Sequence, residues 1–166
     1  MSLTKQVFKV KTVEVKKGQI LQHAGDTGSL VYEVVSGLLR SYTIDQKGKE
    51  HIFMFAPEGW IIADAVQTNE PCEFFIEALE DSTIIIRDKD LGQATSNIQA
   101  IAKRMLVLQR RVIMLMSYSG LQRYEHFIRT YPDLTQRVPQ RMIASYLGIT
   151  PEALSKAKGD KIRSSS

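Results

Sequence analysis

Glu152 and Lys156 stand four residues apart in PEALSKAK (151–158), and on a helix that spacing turns both side chains the same way. A glutamate so placed accepts from the amino group of a cytosine, and a lysine donates to O6 and N7 of a guanine. The pair therefore suits the reading of base edges. The same two residues can equally form a solvated helix ion pair worth about a few tenths of a kcal/mol. Ser155 shares the outer side with them, as do Pro151 and Lys158. Arg137, Arg141 and Lys158 are candidate phosphate contacts, which would position a nucleic acid without specifying its sequence.

The elements that must position these residues are legible around one glycine in PQRMIASYLGITPEALSKAK (139–158). Pro139 suits a first helical turn, which needs no backbone donor. Ile143, Ala144 and Leu147 fall on one face, and Gly148 can supply the left-handed residue that ends a helix. Thr150 follows as an N-cap, with Pro151 at the first helical position and Glu152 where the helix dipole favours a carboxylate. Leu154 and Ala157 continue the buried stripe, while small Ala144 lets the helices cross closely. This is the helix-turn-helix pattern, whose second helix enters the DNA major groove. An ordinary αα-hairpin is the alternative.

Charge is divided along the chain. Residues 1–89 carry 10 Lys and Arg against 13 Asp and Glu, whereas residues 90–166 carry 12 against 5. A basic half that contains a helix-turn-helix points to a polyanion. Catalysis is not expected: His23, His51 and His126 are far apart, none forms an H-x-H pair, and there is no P-loop or Ser/His/Asp spacing. No metal site is expected either. The single cysteine, Cys72, excludes an internal disulfide and any four-cysteine cluster, and Glu73 beside it raises rather than lowers a thiol pKa. No apolar run approaches the roughly 20 residues of a membrane span, and MSLTKQ does not read as a signal peptide. The expected compartment is the cytoplasm.

The first half reads as short strands broken at turns: 7–15, 19–22, 30–37, 38–44, 51–56 and 82–88. Their spacing predicts a β-sandwich or barrel, in particular a jelly roll. From Asp90 to Ser119 the period becomes helical. Ile98, Ile101, Met105, Leu108, Val112 and Leu115 recur at alternating steps of 3 and 4, which is a heptad seam. Such a stripe either packs on the chain's own β domain or pairs two helices in a parallel homodimer; the regular alternation favours the dimer. A further helix is expected over 120–132, with Tyr124, Phe127, Ile128 and Tyr131 inward. The fold class is thus α+β, with a β domain at 1–89, a dimerisation helix at 90–119 and a helix-turn-helix domain at 120–166.

This order of parts resembles the catabolite-activator (CRP/FNR) family of bacterial transcription regulators. The resemblance is carried by KKGQIL (16–21), AGD (24–26), VVSGLLR (34–40), FAPEGW (55–60), IEALEDS (76–82) and RVPQRMIASYLGITPEALSK (137–156). It implies an eight-stranded, cyclic-nucleotide-binding-like β-roll that senses an effector, a dimerising helix, and DNA-binding helices on each protomer. It also implies that Glu152 and Lys156 match base-reading positions and Thr150 a phosphate-contacting one. Pro151 stands where the family often has a base-reading arginine. The partners implied are double-stranded DNA with a near-palindromic operator and a second copy of the chain, with RNA polymerase a further candidate.

Two departures follow from the same resemblance. The family's nucleotide pocket uses a Gly-Glu pair for the ribose and an Arg-Ser/Thr-Ala run for the cyclic phosphate. Here Gly59-Trp60, followed by Ile61, and Cys72-Glu73-Phe74 occupy those places. A buried phosphate needs a charge-assisted partner, and Glu73 would repel it. Cyclic AMP is therefore not expected as a cofactor; an apolar or neutral effector near Trp60, Phe74 and Phe75, or none, is. Residues 159–166 are also too few for the β-hairpin wing that usually follows the recognition helix, and Gly159 is expected to weaken that helix's last turn. A dimeric ligand sensor that no longer grips DNA is the alternative function.

Overall fold

The computed structural model describes residues 10–89 and 98–164, and the chain divides into two compact units, Met1–Asp90 and Leu91–Ser166. The parts of the expected first strand at 7–9 and of the expected long helix at 90–97 lie outside the described residues, as do Ser165 and Ser166.

Among the described residues the first unit contains eight strands: β1 (Val10–Val15), β2 (Ile20–Gln22), β3 (Val31–Ser36), β4 (Leu39–Ile44), β5 (Glu50–Ala56), β6 (Ile61–Ala63), β7 (Phe75–Ala78) and β8 (Ser82–Arg87). They form two antiparallel sheets, ordered β1-β8-β3-β6 and β2-β7-β4-β5. Tyr32 and Val34 of β3, Ile84 of β8 and Ile62 of β6 meet Leu39, Met54, Ile76 and Ala78 of the other sheet in one buried cluster. Strand alternation produces this, because every second residue faces the same side. At the β3–β4 turn a side chain is impossible: Gly37 has φ 93°, and an added Cβ would lie 2.1 Å from Ser82 Oγ.

Strands β6 and β7 were not expected from sequence; with three and four residues they are too short to show a period. Buried Arg40 of β4 is held on both sides, by Glu77 (2.7 and 2.9 Å) and Glu50 (2.6 Å), which satisfies a guanidinium that burial would otherwise penalise.

The second unit contains α1 (Ile98–Ser117), α2 (Gly120–Thr130), α3 (Leu134–Arg137), α4 (Gln140–Leu147) and α5 (Pro151–Ser164). Ser119 and Gln122 form a capping box at the start of α2. The rings of Phe127, Tyr131 and Tyr146 pack mutually with centroids 5.5–5.6 Å apart. Met114, Leu134, Ile143, Leu147 and Leu154 complete this core. Tyr124, Phe127 and Tyr131 are buried as expected, while Ile128 is half-buried.

The structure corrects one local expectation and adds two features. Pro139 stands just before α4 rather than in its first turn, with ψ 144°; its carbonyl accepts the N–H groups of Met142 and Ile143. The one-turn helix α3 was not anticipated. Helix α5 continues through Gly159 to Ser164, and Lys161 in that last stretch pairs with Glu125 of α2 at 2.9 Å.

Candidate nucleic-acid interface and effector site

Gly148 ends α4 in the left-handed conformation, φ 63° and ψ 34°. The turn is closed by Ile149 N–H donating to Ala144 O at 3.1 Å. Thr150 then caps α5, its hydroxyl accepting from Ala153 N–H at 3.2 Å. The Glu152 carboxyl is held below the usual range by its own backbone N–H and then by the Thr150 hydroxyl. Leu154 and Ala157 are buried, and Gly120 of α2 brings backbone close to α5, since a Cβ there would lie 4.0 Å from Ala153 O and Ala157 Cβ.

With that stripe inward, the 100° step of a helix places Glu152, Ser155 and Lys156 on the opposite side, and all three are exposed. Among the described ion pairs none joins Glu152 to Lys156. Thr150 and Arg141 are exposed, whereas Arg137 and Lys158 are half-buried. Arg163, which sequence reasoning passed over, continues the outer face of α5 and pairs with Asp160 at 2.5 Å. Its signal was available, since it falls seven residues after Lys156, but the helix was expected to weaken before it.

On α1, the seam residues Met105 (58%), Leu108 (37%), Val112 (53%) and Leu115 (37%) are exposed. Met105, Leu108, Gln109, Val112 and Ile113 line a shallow apolar groove. Leu106, Val107, Ile113 and Met116 widen the exposed apolar arc. The side chains of Ile98 and Ile101 lie outside the described residues.

In the β unit, Gly59 (φ 79°) turns the chain into β6. Trp60 is partly buried against the core, Ile61 is 54% exposed, and its neighbour Ile62 points inward. Cys72 is buried, Glu73 is exposed, and Phe74 stacks on Phe53 at 4.7 Å. Phe75 instead stacks on Tyr42 at 5.2 Å.

The residue that organises this segment is Asp64, only 3% exposed. Its Oδ2 accepts the backbone N–H groups of Glu73 (2.7 Å) and Phe74 (3.0 Å) and the Gln22 side-chain amide (3.3 Å). Nearby Lys89 donates to Ser29 Oγ at 2.8 Å and to the Val66 carbonyl. Burial pulls the Lys89 pKa down, against the attraction of Asp64. The Cys72 thiol is pushed up by burial and then by Asp64, with Lys89 opposing. Among the described residues, no group of three or more His, Cys, Asp or Glu could hold a metal ion.

Comparison with known proteins agrees with this geometry. Residues 12–93 match the family model of the cyclic nucleotide-binding domain. The chain is 28% identical to the fumarate nitrate reduction regulatory protein of Klebsiella oxytoca, over 87% of this chain and 66% of that protein. It is 27% identical to the anaerobic regulatory protein of Haemophilus influenzae, over 87% of this chain and 64% of that protein. The chain thus spans just under two thirds of the length of these relatives. In fold it is similar to FixK2 from Bradyrhizobium japonicum (TM-score 0.74, 18% identity, 95% of this chain and 86% of that one). It is also similar to a CRP/FNR-family transcriptional regulator from Thermus thermophilus (TM-score 0.70, 17% identity, 93% and 87%). The chain is thus similar in sequence to FNR-type regulatory proteins and shares the fold of its CRP/FNR neighbours, a β-roll followed by helices. Among the described residues no helix is long and apolar enough to cross a membrane.

Proposed function

We propose that this chain is a homodimeric, DNA-binding transcription regulator whose β-roll does not take a cyclic nucleotide in the usual way. One observation carries the DNA-binding part: a capped helix that buries Leu154 and Ala157 leaves Glu152, Ser155 and Lys156 exposed on its outer face. These are base-reading chemistries on the helix that follows the turn. Thr150, Arg141, Arg137 and Lys158 supply phosphate donors beside them. A second copy of the chain is the partner that suits α1, because Met105, Leu108, Val112 and Leu115 repeat at coiled-coil spacing and are exposed together. The two recognition helices would then address half-sites about 34 Å apart. This role places the protein with the DNA, in the cytoplasm.

The reading of the effector site rests on Asp64. Backbone amides at Glu73 and Phe74, which could cradle an anion, already hold a buried carboxylate. A cyclic phosphate would have to displace that carboxylate and would meet no arginine at Cys72. A neutral or apolar effector, or none, fits better.

The test is selection from a pool of randomised duplexes about three helical turns long, at about 50 and about 200 mM salt. An enriched palindrome whose binding weakens steeply with salt is expected. No binding at either salt overturns the regulator reading in favour of a dimeric sensor without DNA affinity.

A further inference from the structure

Helices α1 and α4 both end on one side chain. Arg123, in the first turns of α2, donates through Nη2 to Leu115 O at 2.7 Å and through Nε to Tyr118 O at 3.0 Å. Both carbonyls lie at the C-terminal end of α1, where the last carbonyls of a helix lack intrahelical partners. Local donors are engaged elsewhere: Ser119 N–H goes to Gln122 Oε1 and Gln122 N–H to Ser119 Oγ. Through Nη1 the same guanidinium donates to Leu147 O at 2.9 Å, with Gly148 O at 3.5 Å. Those two carbonyls are the C-terminal end of α4 and the turn of the helix-turn-helix itself. Two negative helix ends therefore converge on one cation.

The surroundings leave little slack. A Cβ on Gly148 would lie 3.3 Å from Leu115 Cδ2 and 3.5 Å from Arg123 Nη1. Leu115 is thus a residue of the exposed α1 seam whose carbonyl is held by Arg123 and whose Cδ2 would crowd any side chain placed at the turn. Arg111 of α1 adds a second link, donating to Tyr146 O at 3.1 Å with its guanidinium 3.9 Å from the Tyr146 ring centroid.

We infer that Arg123 is a positioning residue that holds the turn of the helix-turn-helix against the end of α1 and so fixes the separation of the two recognition helices. This rests on the homodimeric, DNA-binding reading above. The guanidinium is suited to the task because its planar fork reaches several carbonyls at once, which a lysine ammonium on a flexible stem does not reproduce. A rigid dimer engages both half-sites only at the matching spacing; a loosened one tolerates others and gains less from the second site.

The experiment compares full-length wild type with Arg123→Gln and Arg123→Lys on palindromes whose half-site spacing differs by one or two base pairs. Wild type is expected to lose about 100-fold in affinity at the wrong spacing. Both variants are expected to lose less than about tenfold there, while binding the matching spacing more weakly than wild type. Wild-type spacing discrimination in either folded variant overturns the inference, and Arg123→Lys serves alone if Arg123→Gln does not fold. A DNA-free arm separates this from failure of the regulator reading. Hydrogen exchange at the end of α1 and in the turn after α4 is expected to accelerate together in the variants. Acceleration at only one of the two ends, or at neither, overturns the lock whether or not wild type binds DNA.

Discussion

Asp64 accepts the backbone N–H of Glu73 at 2.7 Å, so the first residue after β6 closes the loop at the residue two before β7. The carboxylate is buried, and Phe74 N–H and the Gln22 amide share the same oxygen. The neck of the segment that carries Cys72, Glu73 and Phe74 is thereby held by an anion built into the chain.

Asp64→Ala is expected to destabilise the β unit by about 2–4 kcal/mol, because it strips charge-assisted bonds from two part-buried backbone amides and the buried Gln22 amide. Urea unfolding followed by Trp60 fluorescence measures this. A loss below about 0.5 kcal/mol, the scatter of an ordinary surface change, would show that the carboxylate does not hold the loop. Cyclic AMP titrated into wild type is expected to leave the same transition where it is; a midpoint raised by the nucleotide would sink the effector reading.

Cys72 should behave as an inert core thiol. Burial and the Asp64 carboxylate both raise its pKa, so little thiolate is present near neutral pH. A thiol reagent is expected to label it slowly in the native protein and at once in denaturant. Immediate labelling of native protein would contradict its placement.

What the sequence makes legible here is what is decided locally. Gly148 and Thr150 could be placed because a left-handed stop and an N-cap are properties of one or two residues. The helix α1 was readable because a 3-and-4 apolar spacing is itself a local signal, and four of the residues so spaced, Met105, Leu108, Val112 and Leu115, are exposed. Strands β6 and β7 were not, since three or four residues carry no period and their pairing with β3, β2 and β4 is non-local. That α5 runs through Gly159 to Ser164 was not legible either. A glycine costs a helix roughly 1 kcal/mol, and Lys161 pairs across to Glu125 just beyond it. Asp64 and Arg123 were invisible for a third reason. Each works through partners brought near only by the fold, as Arg123 does with Leu147, 24 residues away.

Two glycines of the second unit should respond in opposite directions. Gly159 would have nothing within 4 Å of an added methyl and has no left-handed φ, so Gly159→Ala should stabilise by up to about 1 kcal/mol. Gly148→Ala should cost about 1–2 kcal/mol from its left-handed backbone alone, with the Leu115 contact at 3.3 Å adding to it. Thermal melts read by helical ellipticity check both; equal shifts would remove the argument for the turn.

His126 gives the helical unit a pH dependence. Burial lowers its pKa from 6.5, and the Arg129 and Arg111 cations lower it further. The unfolded chain therefore binds the proton more readily than the folded one, and unfolding gains as pH falls. The contribution is complete above the ordinary value and is lost as pH drops through the window beneath it. A titration of the imidazole by NMR should give a midpoint below 6.5, and His126→Gln should flatten the fall in melting temperature between about pH 7 and about pH 5. An unchanged pH profile in that variant would assign the fall to other groups.

Lys156 and Arg141 should separate reading from gripping. Both are exposed, but Lys156 lies on the outer face of α5, opposite Leu154 and Ala157, whereas Arg141 stands at the start of α4. Lys156→Ala is expected to relax base preference at one position of each half-site, by about 1–3 kcal/mol of discrimination. Arg141→Ala is expected to weaken binding to all sequences alike and to reduce the log–log salt slope by about 1 for each protomer's lost phosphate contact. Selections repeated with each variant, together with salt titrations on the enriched operator, distinguish these effects. If Lys156→Ala lowered the salt slope and left the enriched sequence unchanged, Lys156 would be a phosphate contact. Sequence reading would then have to come from other outer residues of α5, with Glu152 and Ser155 the first to vary.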